Sequence, residues 1–263
     1  VVKTDLSKPS YSRVGCPTNP ESSTCAEKNY VFTDIVPERE ETLARAQIVG
    51  ERLILSYMQD AKSVAEMTTL DGKRISQINL NAIGTASGFT GQPGDPETFY
   101  AFSSFNQPGA IYRFDSVTGE SAVFEKPELS FDPDEVEIDQ RFYASKDGTK
   151  IPMFVVYKKG LDLSKGAPTL LYGYGGFNVS LTPSYSATRM AWIQSGGVYA
   201  QASLRGGGEY GKAWHDAGRL LNKQNVFDDF IAAGEYLIAK GITGKGQLAI
   251  DGRSNDGLLV GAS

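Results

Sequence analysis

The 263-residue sequence is poor in the residues on which metal sites and disulfide frameworks depend. It has only two cysteines, Cys16 and Cys25, and a single histidine, His215. Two cysteines without nearby histidines do not make a zinc site. Their Pro-, Ser- and Thr-rich surroundings fit either unpaired thiols or one small disulfide-closed loop. We therefore expect no metal ion.

An excess of basic residues and a long apolar run are also missing. The formal net charge is −5, which provides no electrostatic footprint for DNA or RNA. No apolar run reaches the roughly 18 residues that a membrane helix needs. Composition thus argues against nucleic acid and membrane partners, while 40% hydrophobic and 22% charged residues are ordinary for a globular protein.

The first half of the sequence predicts short β-strands joined by tight turns, at 52–59, 63–70, 73–80, 98–105, 110–117 and 121–126. Asp71-Gly72 and Thr118-Gly119 are turn signals between apolar-polar alternating segments, and the two glycines lie 47 residues apart. A period of about 40–50 residues with several strands per unit is typical of propeller blades. Part of a β-sandwich with coincidental turn spacing is the alternative.

The second half follows a different pattern after an acidic stretch at 126–140 that looks like a domain junction. A hairpin is predicted over 141–159, followed by strands at 167–176, 196–204 and 246–251. A helix is predicted over 226–240, with Asn225 as its N-cap and Gly241 as its stop. Strands that alternate with helices indicate a parallel sheet with crossover helices.

Ser254 lies where the last apolar strand turns into a helix, in the segment GRSND. This is the context of a nucleophile elbow, G-x-S-x-G, in which a strained turn holds a serine hydroxyl above the sheet edge. Gly252 satisfies the position two before the serine, and Asp256 does not satisfy the position two after it. A surface helix cap at Ser254 or Asn255 explains the segment about as well.

The glycine-rich segment RGGGEYGKA, 205–213, is a weaker candidate for a phosphate-binding loop. Its spacing fits, but Ala213 stands where Ser or Thr should hold magnesium, and Glu209 would place a carboxylate inside the phosphate cradle. The same glycines match a dinucleotide motif, although no helix is predicted to follow directly. We therefore set nucleotide binding aside.

Several segments together resemble the prolyl oligopeptidase family of serine peptidases, whose members combine a β-propeller with an α/β-hydrolase domain. They are SKDGTKIPMFVVYKKG (145–160), LLYGYGGFN (170–178), GGVYAQASLRGGGEYGKAWHDAG…FDDFIAAGEYL (196–237) and SNDGLLVGA (254–262). Oligopeptidase B is the nearest alternative. The resemblance implies the last blades of a propeller over 1–127 and the first part of an α/β-hydrolase domain over 128–263, both incomplete.

The resemblance also implies an activity and a set of site residues. Ser254 stands at the position of the nucleophile, Asn255 supplies a backbone N–H to the oxyanion hole, and Tyr174 supplies its hydroxyl as the second oxyanion donor. Phe177 lines the pocket for the proline ring. The activity implied is hydrolysis of short peptides on the carboxyl side of proline through an acyl-enzyme. No cofactor is implied, and we expect a cytoplasmic monomer.

The sequence departs from the family pattern in two respects. Arg253 and Asp256 occupy positions where the family carries glycine, and we expect Asp256 to crowd the elbow. In α/β-hydrolases the triad Asp and His follow the serine, whereas only nine residues follow Ser254 here. His215 lies upstream, and we expect it to cap or pack in its own loop. We therefore expect an interior fragment that is inactive alone. The alternative is a non-catalytic, peptide-binding relative with a degraded elbow.

Overall fold

The computed structural model describes residues 1–4, 7, 10–13, 26–29 and 32–263, and gives only the backbone of residues 10–13 and 26–29. Cys16 and Cys25, whose pairing was left open, lie outside the described residues. Four short strands come first and pair antiparallel, β1 with β4 and β2 with β3. They are β1 (Val2–Lys3), β2 (Ser10–Arg13), β3 (Ala26–Asn29) and β4 (Thr33–Asp34).

Two four-stranded antiparallel sheets follow, each with its strands in sequential order. The first contains β5 (Thr42–Val49), β6 (Arg52–Gln59), β7 (Lys62–Thr69) and β8 (Arg74–Ile78). The second contains β9 (Thr85–Thr90), β10 (Glu97–Ser103), β11 (Ala110–Asp115) and β12 (Ser121–Glu125). Four-stranded sheets of this kind are the units of a β-propeller.

The two predicted turns occupy the same place in both sheets. Gly72, with φ 86°, lies between the third and fourth strands of the first sheet, and Gly119, with φ 78°, does so in the second. Glycine adopts this left-handed conformation without the steric cost of a Cβ. The 47-residue spacing therefore reflects one structural repeat, and the sequence prediction missed only the first strand of each sheet, β5 and β9.

The two sheets share one apolar core. Ile54 and Met67 of the first sheet belong to the same buried cluster as Phe89, Tyr100 and Phe114 of the second. Phe89 stacks on Tyr100 at 4.5 Å between ring centroids. Packing of this kind, face to face between consecutive sheets, is what stabilises neighbouring blades, because a single four-stranded sheet cannot bury its own apolar face.

The remaining strands form one five-stranded mixed sheet in the order β13-β14-β16-β15-β17. Its hairpin is antiparallel, β14 also pairs antiparallel with β16, and β15 pairs parallel with both β16 and β17. The strands are β13 (Val136–Ala144), β14 (Lys150–Lys158), β15 (Thr169–Gly173), β16 (Val198–Ala202) and β17 (Leu248–Asp251). The predicted parallel arrangement is thus confirmed for β15, β16 and β17, whereas β14 joins β16 antiparallel. Strand β13 begins inside the acidic stretch interpreted as a junction.

Helices cover both faces of this sheet. They are α1 (Ala187–Gln194), α2 (Gly211–Asp216), α3 (Gln224–Ala239) and α4 (Asn255–Ala262). The α3 face buries Val226, Phe230 and Leu237 against the sheet, and the α1 face buries Met190 and Ile193. Among the described residues, no helix is both long and apolar enough to cross a membrane.

The predicted N-cap of α3 is wrong. The helix begins at Gln224 with Lys223 at the cap position, so Asn225 lies within the first turn. The Asn225 amide instead donates to the Ala217 carbonyl at 2.9 Å. A distant carbonyl therefore competes successfully with the local backbone for this side chain. Gly241 does end the helix, with φ 73°.

The blades and the mixed sheet meet through the tip of the β6–β7 hairpin and one aromatic ring. Ala61 at the hairpin tip has φ 63° and is completely buried in the α1-side cluster. Phe105 reaches the same cluster, 5.4 Å from the Phe154 ring. The Gln140 amide donates to the Asp60 carbonyl at 2.5 Å. Apolar insertion and a hydrogen bond from a side chain to the backbone together hold the two parts against each other.

Candidate active site

Ser254 lies in a strained turn between β17 and α4. Its backbone has φ 58° and ψ −120°, a conformation that side-chain-bearing residues seldom adopt. The side chain is exposed, and it makes no capping hydrogen bond to the helix. The helix-cap alternative therefore has no hydrogen bond to support it, whereas a strained strand-to-helix turn that exposes a serine hydroxyl is the geometry of a nucleophile elbow.

The glycine two residues before the serine is required by close packing. A Cβ at Gly252 would overlap the backbone carbonyl oxygen of Asp256 in the first turn of α4. Backbone atoms cannot move aside as a flexible side chain can. The turn thus depends on glycine at the first of the two motif positions.

The second motif position is occupied by Asp256, which we expected to crowd the turn. Its side chain is buried and lines a cavity of about 620 Å³ with Tyr172 and Arg253, and Ser254 is not among the residues that line this cavity. Burial and the nearby Asp256 carboxylate raise the pKa of Tyr172 to about 12. The carboxylate is accommodated beside the sheet, and Ser254 keeps its strained backbone conformation.

Replacing Gly252 with alanine is expected to destabilise the protein by about 1–3 kcal/mol, the usual cost of forcing an atom into a packed site. Urea unfolding measures the change. Gly261→Ala is the matched control, because a Cβ at Gly261, in the neighbouring helix α4, would have nothing within 4 Å. Equal stability of both variants would show that the turn tolerates a side chain at 252.

Tyr174 and Phe177 lie in the loop that follows β15, next to the elbow. In the parallel β15–β17 pair, Tyr172 is the register partner of Asp251, so the chain leaves both strands at the same sheet edge. Tyr174 is half-buried. Phe177 has φ 53°, and 75% of its surface is exposed. A strained loop that presents an apolar ring to solvent and contacts the elbow through Asn255 is suited to contact a ligand.

The side chain of Asn255 joins the elbow to this loop. Its amide nitrogen donates to the Tyr174 carbonyl at 2.6 Å, and its oxygen accepts from Lys223 Nζ at 3.3 Å. The same ammonium donates to the Gly175 carbonyl at 2.8 Å, and burial lowers the pKa of Lys223. A Cβ at Gly176 would lie 2.6 Å from the Asn255 amide. These hydrogen bonds therefore fix the elbow, the loop that follows β15 and the start of α3 against one another.

The segment 205–211 packs against the loop that contains Tyr174. The Asn178 N–H donates to the Gly206 carbonyl at 3.1 Å, and a Cβ at Gly206 would lie 2.6 Å from the Gly175 carbonyl oxygen. Nδ1 of His215 lies 2.8 Å from the same Gly206 carbonyl. These glycines therefore permit close contact between two backbones, and the histidine packs against their loop as expected.

A buried ion pair fixes the start of this segment. Arg205 donates to Asp229 through Nη2 at 2.6 Å and also bonds Asp147 at 2.5 Å, while the Ser145 hydroxyl donates to Asp229 at 2.6 Å. Arg205 is only 4% exposed and Asp229 is fully buried. Hydrogen bonding from Arg205 lowers the pKa of Asp147. The network joins the β13–β14 turn, the 205–211 segment and α3.

Glu209 is the other buried charged residue of the segment. Its Oε1 accepts the Leu181 N–H at 2.8 Å, while Oε2 has no hydrogen-bond partner among the described residues. Burial raises the pKa of Glu209 to about 7. The sequence predicted no role for this residue, nor for Arg205 or Lys223; only the glycine run around Glu209 was a visible signal.

Blade-like sheets followed by a mixed sheet, whose last described strand ends in a strained serine turn, define an α/β-hydrolase-type chain with propeller blades. Comparisons with known proteins specify the family. The family model "Prolyl oligopeptidase, N-terminal beta-propeller domain" matches residues 1–127, and the family model "Prolyl oligopeptidase family" matches residues 183–263. The chain belongs to the prolyl oligopeptidase family.

Individual relatives agree with this assignment. The chain is 45% identical over 236 residues to the prolyl endopeptidase of Elizabethkingia meningoseptica, covering 90% of this chain and 33% of the relative. It is 42% identical over 238 residues to the prolyl endopeptidase of Dictyostelium discoideum, covering 88% of this chain and 31% of that one. The chain thus spans about a third of the length of these curated relatives.

Solved structures give the same picture. One, from work on two prolyl endopeptidases and inter-domain dynamics, superimposes with a TM-score of 0.83 at 47% identity, covering 93% of this chain and 35% of that chain. Prolyl oligopeptidase B of Galerina marginata, bound to a 35mer hydrolysis and macrocyclization substrate, superimposes with a TM-score of 0.84 at 33% identity. That match covers 98% of this chain and 34% of the other.

Proposed function

We propose that this chain carries the nucleophile and oxyanion side of a serine-type peptidase that cleaves short peptides after proline. The observation that carries the proposal is the backbone of Ser254, held at φ 58° and ψ −120° in an exposed strand-to-helix turn. Family membership supports the peptidase class. Residues 1–127 act as blades that restrict access to small, flexible peptides, and residues 128–263 belong to the catalytic domain.

Each site residue has a distinct role in this proposal. Ser254 Oγ attacks the carbonyl carbon of the substrate proline and loses its proton to a general base. The carbonyl oxygen becomes an oxyanion that accepts hydrogen bonds from the Asn255 N–H and the Tyr174 hydroxyl. The C–N bond then breaks, the leaving amine takes the proton, and water hydrolyses the acyl-enzyme. Phe177 offers an apolar wall to the proline ring.

The general base is the part of the machinery for which these 263 residues offer no candidate. His215 is the only histidine and it precedes Ser254 in the sequence, whereas the triad histidine of α/β-hydrolases follows the nucleophile. A serine without a base keeps the high pKa of an alcohol and is a poor nucleophile. We therefore propose that the base comes from outside these residues, and that the 263-residue chain alone is inactive.

A second candidate function is peptide binding without catalysis. Arg253 and Asp256 replace two glycines of the family pattern around the nucleophile, and Asp256 brings a buried carboxylate into the first turn of α4. A negative charge there opposes an oxyanion formed at the same helix N-terminus. In this candidate the exposed Phe177 still contacts proline-containing peptides, but Ser254 does not react.

Labelling with a fluorophosphonate tests the proposal, because this reagent reacts only with activated serines. We expect the protein expressed from its complete coding sequence to take up one label at Ser254, as mapped by mass spectrometry. A proline-based aldehyde should block the label, and heat-denatured protein should not react. Binding of proline-containing peptides without any label would instead establish the non-catalytic candidate. Labelling of the isolated 263-residue chain would contradict the missing base.

A further inference from the structure

Glu209 lies between the first four-stranded sheet and the loop that begins with Tyr174, here called the site loop. On one side, its Oε1 accepts the N–H of Leu181, at the far end of the loop that begins with Tyr174. On the other side, the adjacent Tyr210 hydroxyl bonds Asp60 Oδ1 at 2.6 Å, and the Thr42 hydroxyl bonds the Glu209 carbonyl at 3.5 Å. The Glu209–Tyr210 dipeptide thus contacts both the first four-stranded sheet and the site loop.

The two loops around Glu209 pack closely against each other. A Cβ at Gly208 would lie 2.8 Å from both the Asn178 carbonyl oxygen and the Ser180 hydroxyl. A Cβ at Gly207 would overlap Glu209 Oε2 itself. Glu209 is only 1% exposed. Bulk water therefore reaches its unpartnered oxygen only if the segments 178–181 and 205–211 move apart.

Within the part of the chain that the structure describes, no cation compensates a charge on this carboxyl group. Segment 178–181 contributes only Asn, Val, Ser and Leu side chains, none of which titrates. On the blade side, Asp60 faces Glu209 through Tyr210, and Arg39, which lines the same cleft as Tyr210, is engaged by Glu41 and Glu66. Burial, Asp60 and Glu209 all raise the pKa of Tyr210, so its phenol stays neutral. The Arg205 side chain is engaged by two other carboxylates. The ionised form of Glu209 is therefore the less stable one in the closed arrangement.

We propose that Glu209 is a positioning residue whose proton holds the 174–181 loop against the 205–211 segment, and whose ionisation loosens that loop. The neutral carboxyl keeps the bond to Leu181 without the cost of a buried charge, whereas the carboxylate gains by reaching water. The role of Tyr174 in the reaction rests on the proposed function, but the coupling between this proton and the loop does not.

Hydrogen–deuterium exchange of the peptide that spans 174–181 tests the coupling directly. With a folded pKa of about 7 and an open-state value near 4.5, linkage predicts that the opening equilibrium rises about tenfold between pH 6 and pH 8. This rise is taken after correction for the intrinsic exchange rates. Glu209→Gln keeps the size and an uncharged head group, so its loop should show the same protection at pH 6 and pH 8, at least as high as that of the unaltered protein at pH 6.

Two further measurements keep the result decisive. Glu235→Gln on the exposed side of α3 is the matched control and should retain the tenfold change. If Glu209→Gln does not fold, the carboxyl ¹³C resonance of Glu209 in the unaltered protein must titrate near pH 7, together with the loop. Protection that is independent of pH in the unaltered protein would overturn the proposal. Peptidase assays are run separately, so a lack of hydrolysis counts only against the proposed function.

Discussion

Replacing Arg205 with methionine is expected to lower the free energy of unfolding by about 3–5 kcal/mol, because it leaves a buried carboxylate without its partner. Asp229 is fully buried and accepts from the Arg205 backbone N–H, from its Nε and from its Nη2. Methionine retains most of the length of the side chain and removes the charge. The expected loss therefore reports the unpaired Asp229 and not a cavity.

Urea unfolding followed by circular dichroism measures this change, and Arg219→Met is the matched control. Arg219 pairs with Asp216 at 2.7 Å, but its side chain is 49% exposed, and exposed pairs contribute about 0–1 kcal/mol. Combining Arg205→Met with Asp229→Leu should recover part of the lost stability, since no charge is then left buried. If Arg205→Met is no less stable than Arg219→Met, the Arg205–Asp229 ion pair does not contribute to the stability of the fold.

The turns and the sheet of this protein could be predicted because their signals are local. Gly72 and Gly119 adopt positive φ at equivalent turns, and the apolar runs of β14 and β16 form buried strands of the mixed sheet. Strand β5 was not predicted from the sequence, because most of its residues are exposed. Its sequence therefore lacks the alternation between a buried and a solvated face that indicates a strand.

The hydrogen bonds and ion pairs that hold the candidate site together could not be predicted, because their partners are far apart in the sequence. Arg205 meets Asp229 across 24 residues, and Asn255 meets Tyr174 across 81. Nothing in the local pattern distinguishes Lys223 from a solvated lysine; only the register of β15 against β17 brings the two loops together. The glycine run at 206–208 did give a signal, but its meaning, contact between two backbones, required the fold.

Replacing Tyr174 with phenylalanine is expected to reduce kcat for a proline-containing peptide by about 10²–10³-fold with little change in KM, since a single oxyanion donor is typically worth that much. The prediction rests on the proposed function. Within the described residues, the Tyr174 hydroxyl makes no hydrogen bond to the protein, whereas its carbonyl is held by Asn255. The phenol is thus free to donate to an oxyanion, and phenylalanine preserves the packing of the ring.

Steady-state kinetics of the protein from its complete coding sequence test this expectation, with Tyr112→Phe in the second blade as the control. Tyr112 packs against Tyr100 at 5.1 Å between ring centroids, remote in the sequence from the elbow, so its variant should keep kcat. A rise in KM at constant kcat for Tyr174→Phe would mean that the phenol binds the ground state. Because the backbone N–H of Asn255 remains as the second donor, a residual rate above the uncatalysed one is expected to survive.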